Sequence, residues 1–89
     1  MRLSFPNPSR SFDASRNRVR FWGYDQALEI SFLLEEDALK KLCPDMNHAE
    51  AGFLDAFDAV RTRIHEAADR VDVCSGRRSH VYCLAATDL

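Results

Sequence analysis

A chain of 89 residues, 46% hydrophobic and 29% charged, has the composition of a folded domain with room for only one core, because a domain this short buries only about 60 to 65% of the surface its unfolded chain exposes. A second domain and a wholly disordered chain are both excluded on those grounds. The formal net charge of -2 is unevenly divided: residues 1–23 carry five Arg and one Asp, residues 24–69 eleven acids and four bases, and residues 70–89 three Arg and two Asp.

The ends are therefore basic and the middle acidic. No apolar run approaches the ~20 residues that span a bilayer. The opening MRLSFPNPSRSFD lacks the apolar stretch of about 7 to 15 residues and the cleavage site of a secretory signal. The expectation is a cytoplasmic protein with no membrane contact. Cys43, Cys74 and Cys83 are odd in number and form no C-x-x-C pair, which argues against a disulfide framework and against a zinc site.

In chain order, Leu3 to Phe5 reads as a short strand that Pro6, Asn7 and Pro8 end, since proline lacks the ladder donor and restricts the residue before it. Residues 6–17 read as connection. Residues 19–24 and 27–34 both alternate, the pattern of a hairpin. A turn at Asp25 and Gln26 sets Val19, Phe21 and Gly23 against Phe32, Ile30 and Leu28 on the core side. Arg18, Arg20 and Trp22 then stand beside Leu33, Ser31 and Glu29 on the other side. A four-residue turn keeps the same faces.

From Glu35 the segment EEDALKKL has its acids first and its lysines last, which suits the dipole of a two-turn helix that Pro44 ends. Phe53, Phe57, Val60, Ile64, Ala67 and Val71 then recur at alternating spacings of four and three, the stripe of a long amphipathic helix over roughly residues 49–73. Asn47 with Glu50 resembles a capping box, Gly52 permits close packing in the first turn, and Ser75 with Gly76 supplies a left-handed stop. Residues 79–87, rich in Val, Tyr, Cys and Leu, read as a closing strand. The elements predict a single α+β domain over residues 1–89: a small, mainly antiparallel sheet of three or four strands with one long and one short helix packed on one face.

Taken together, LSFPNPSRSFD, VRFWGYDQALEISFLLEEDAL, AEAGFLDAFDAVRTRIHEAA and the strand after GRRS resemble a family of small bacterial proteins known as domain of unknown function 1488. The resemblance spans nearly the whole chain. It implies one small α+β domain, and it implies no activity and no site residues.

Candidate chemistry therefore rests on the residues themselves. His80 and Cys83 have a ligand-like spacing of three, but on a strand such residues point to opposite faces. His48 and His65 lie too far apart along the helix to share an ion. No metal site and no cofactor are expected. The chain also lacks a glycine-rich phosphate loop and a nucleophile elbow, so the expectation is a protein that is not an enzyme.

Arg18, Arg20 and Trp22 on the outer sheet face, with Arg77 and Arg78 before the last strand, form the candidate interface. Ten of the twelve bases are Arg, and Arg and Trp are both favoured at protein interfaces. The leading expectation is a protein partner or a homo-oligomer. The alternative is nucleic acid or another anion bound by Arg interleaved with aromatics, against which stand the acidic middle and a sequence pI near 5.8.

Overall fold

The computed structural model describes residues 3–6, 10–76 and 80–89. Along the chain run β1 (Arg10–Asp13), β2 (Arg18–Asp25), β3 (Leu28–Leu34), α1 (Glu36–Leu42), α2 (Glu50–Ala59), α3 (Arg61–Ser75) and β4 (Val81–Leu84), followed by a 3₁₀ turn at Ala86–Asp88. The four strands form one sheet in sequence order. β1, β2 and β3 are antiparallel neighbours, whereas β4 pairs parallel to β3 after the helical crossover. The fold is α+β, and its sheet is mixed.

The strands follow the alternation of their residues. Val19, Phe21, Ile30, Phe32 and Leu34 are all at most 1% exposed, and they share one face because β2 and β3 pair Val19 with Leu34, Phe21 with Phe32 and Gly23 with Ile30. The turn is formed by Gln26 and Ala27, one residue later than the predicted Asp25 and Gln26, so Asp25 pairs with Leu28. Moving a two-residue turn by one position shifts the register by two and leaves every side chain on its predicted face. Leu28 is displaced to the end of the ladder and is 39% exposed; its place in the predicted core is corrected.

Two further segments depart from the sequence expectation. β1 lies inside the stretch read as connection, a four-residue RSFD with too little alternation to announce itself. Leu3 to Phe5 is reduced to a single bridge in which Ser4 and Tyr24 exchange backbone hydrogen bonds of 2.8 Å. Leu3 N–H also donates to Asp69 Oδ1 at 2.8 Å, and the Phe5 ring stacks on His65 with centroids 4.0 Å apart. These contacts strap the N-terminal segment across β2 and α3.

The predicted long helix is two helices, broken at Val60, whose φ of -119° and ψ of 22° leave the helical region. The break lets both apolar sides stay on a small sheet, where one straight rod of that length would overhang. Phe53 and Phe57 from α2 and Ile64 from α3 are at most 1% exposed, while the predicted Val60 and Val71 are half-buried at the margin. Asn47 does not form a capping box: Ala49 is the N-cap of α2, and Asn47 Oδ1 accepts from Ala49 N–H at 3.0 Å. Gly76 ends α3 with a left-handed φ of 67°, as predicted. Ala38 and Leu39 of α1 complete the helical side of one core that Leu84 of β4 also enters.

Candidate functional site

All three helices supply buried side chains to the same sheet face, so the alternate residues of each strand project from the other. The register sets these residues in rows. Ser11, Arg20, Leu33 and Cys83 form one row, and Trp22, Ser31 and Val81 the next. Neither Trp22 nor Leu33 packs against the core cluster. Val81 is 52% exposed.

The two predicted arginines of this face have different surroundings. Arg18 donates from Nε to Asp13 Oδ2 at 3.0 Å and from Nη1 to Glu35 Oε1 at 3.4 Å, and its side chain is only 18% exposed. The Ser15 hydroxyl, followed by the Arg18 guanidinium, holds the Asp13 carboxyl below its ordinary pKa, and the hydrogen bond to Asp13 raises that of Arg18. Arg18 thus joins strand ends and is neutralised. Arg20 is exposed; its Nη2 donates to Ser31 Oγ at 3.2 Å, and its guanidinium carbon lies 5.5 Å from the centre of the Trp22 ring. Both contacts are neutral. Among the described residues, no carboxylate lies within ion-pair distance of Arg20.

At the turn end of the face the Tyr24 hydroxyl donates to Glu29 Oε2 at 3.0 Å, an interaction that raises the Tyr24 pKa. Arg77 and Arg78, the remaining predicted interface residues, lie outside the described residues. Ser31, Leu33, Val81 and Cys83 belong to the face as well. Ser31 and Leu33 were recognisable from the hairpin alternation, but the β4 residues join it only through a parallel pairing that no local pattern announces.

Elsewhere the surface offers less. A groove of about 220 Å³ between α1, α3 and the C-terminal residues is lined by Leu42, Arg63, Glu66, Ala67, Arg70 and Leu89. Its charges are mixed, and Arg70 is already used in a 2.8 Å hydrogen bond to the Asp88 carbonyl. No group of three or more His, Cys, Asp or Glu among the described residues is arranged to hold a metal ion. No helix among the described residues is long and apolar enough to cross a membrane.

Residues 3–81 match the sequence profile of the family described as protein of unknown function (DUF1488). The chain belongs to that family. The matched region holds the N-terminal strap, β1 to β3 and all three helices, so the Arg20 and Trp22 positions and the core residues of β2, β3 and the helices lie within the family's domain. No curated protein and no solved structure matches the chain.

Proposed function

We propose that this DUF1488 protein is a non-enzymatic cytoplasmic module that binds another protein, or a second copy of itself, through the uncovered face of its sheet. The observation that carries the reading is the half-buried Trp22, which packs outside the core beside an exposed Arg20 while every helix lies on the opposite side. A tryptophan and an arginine at the centre of an accessible patch are the residue types that most often dominate protein interfaces. The three cysteines are free thiols, which suits a reducing compartment.

A polyanion is favoured less. Of the two arginines on the face, Arg18 has its charge met by Asp13 and Glu35, and those carboxylates with Glu29 border the same surface. The test is capture by the tagged protein from extracts of its own cells, with and without nuclease, alongside light scattering of the purified protein. Trp22→Ala is expected to keep its melting temperature and to lose the captured protein or the self-association. Capture that nuclease abolishes would favour nucleic acid instead, and capture or self-association indifferent to Trp22→Ala would show that this face is not the interface.

A further inference from the structure

From the charge and packing of the uncovered face we infer that its occupant is a segment of a different protein in which a carboxylate is flanked by apolar side chains. The carboxylate meets Arg20, and the apolar groups cover Trp22, Leu33 and Val81. This rests on the protein-binding reading above and adds the chemistry of the partner.

The first step is the isolation of one charge. Arg10 is paired with Asp58 at 2.9 Å and Arg18 with Asp13 and Glu35, but among the described residues Arg20 is met only by a hydroxyl and an aromatic ring. The second step is its setting. Arg20 and Trp22 are two residues apart along β2, so their Cα atoms stand roughly 7 Å apart with both side chains on one face, with Leu33 across from Arg20 and Val81 beyond Ser31 in the Trp22 row. A partner that covers the tryptophan must also remove water from the guanidinium. Burying a cation without a counter-charge is costly, whereas a carboxylate can accept two parallel hydrogen bonds from the planar fork. An all-apolar partner leaves Arg20 unpaired, and a basic one repels it.

A second copy fits less well. The same face on a two-fold mate would bring another Arg20, while its carboxylates are already engaged: Asp13 and Glu35 by Arg18, and Glu29 by the Tyr24 hydroxyl. A nucleic-acid strand would bring a series of phosphates to a surface that, among the described residues, has one unmatched cation and three bordering carboxylates. A single acid among apolar groups matches the surface.

Short random peptides displayed on phage would be selected on the whole immobilised protein and on the Arg20→Glu, Arg20→Lys and Trp22→Ala variants, each checked for an unchanged melting temperature. The expected result is a set of peptides with Asp or Glu between apolar residues. Their affinity should fall roughly ten- to hundredfold with Arg20→Glu and less with Arg20→Lys, the scale of one charge-assisted contact. Peptides that need Trp22 but carry no common acid, or that ignore Arg20→Glu, would overturn the acidic partner while leaving the docking face in place. Failure to select any peptide that depends on Trp22 or Arg20 would overturn both.

Discussion

A Cβ on Gly52 would lie 2.0 Å from the backbone oxygen of Asn47 and 2.6 Å from the Asn47 Cβ. Replacing glycine by alanine within a helix gains up to about 1 kcal/mol of propensity, but the obstacle here is backbone, so the loop before α2 has to move. Overpacking of that kind costs about 1 to 3 kcal/mol. Gly52→Ala is therefore expected to destabilise the protein, and a raised melting temperature would show that the loop yields freely. His65 presents a different single-residue constraint. Its burial among Phe5, Phe21 and Phe57, with the nearby Arg61 charge a lesser cause, lowers its pKa from 6.5 to about 4. The unfolded chain then binds more protons than the folded one between those values, so the contribution of this residue is fully present above pH 6.5 and is lost as the pH falls toward 4. His65→Phe keeps a ring for the Phe5 stack and removes the titration. Chemical denaturation across that window should show a flatter pH dependence in the variant, and an unchanged slope would place the proton elsewhere.

At the scale of the element, the β2–β3 turn carries local strain. Gln26 has a φ of 56°, in the left-handed region that favours glycine, and it occupies the first position of a two-residue turn. Gln26→Gly should stabilise the hairpin by about 0.5 to 1 kcal/mol; a loss of stability would mean that the Gln26 side chain contributes more than the backbone strain costs. Asn17, at φ 50° between β1 and β2, is a residue that tolerates the same region better. The junction of α2 and α3 is tied to the sheet edge by Asp58, which takes the Arg10 guanidinium through two hydrogen bonds, 3.1 and 2.9 Å, and also meets Arg61. These groups are partly exposed to solvent, which screens the ion pairs, so the tie orients the elements more than it stabilises them.

For the molecule as a whole, one core and one uncovered face make separable predictions. Phe57 is fully buried, with its ring centroid 5.2 Å from that of Phe21, where α2 meets β2. Phe57→Ala should cost about 3 to 5 kcal/mol, a large share of the stability of so small a domain. An unchanged melting temperature would contradict the burial of Phe57 against Phe21. Trp22→Ala, outside the core, should leave stability within about 1 kcal/mol of the native protein and weaken partner binding by more than about 2 kcal/mol. Binding through one guanidinium and an apolar patch should also respond weakly to salt. A polyanion complex would instead lose roughly one log unit of affinity per log of salt for each phosphate neutralised. A titration of the captured partner against salt separates the two, and a steep slope would favour nucleic acid.

Which residues face which way is written in the periodicity of the chain. Period-two alternation in residues 19–24 and 27–34 and the stripe through Phe53, Phe57 and Ile64 assign the core side, and they do so although the turn lies one residue later than the alternation predicts, because face depends on parity and not on exact register. The Arg18, Arg20 and Trp22 side was legible for the same reason. Long-range pairing and packing set what periodicity does not encode. β1 is too short to carry a pattern, and its place was set by pairing with Arg18 to Phe21. The helix was divided at Val60 within an unbroken apolar stripe, a position that only packing on a sheet of limited length selects. Above all, Arg18 and Arg20 are equivalent in the sequence pattern. Only the approach of Asp13, at the end of β1, and Glu35, just past the end of β3, neutralises the first, while among the described residues the second has no carboxylate and stands beside Trp22.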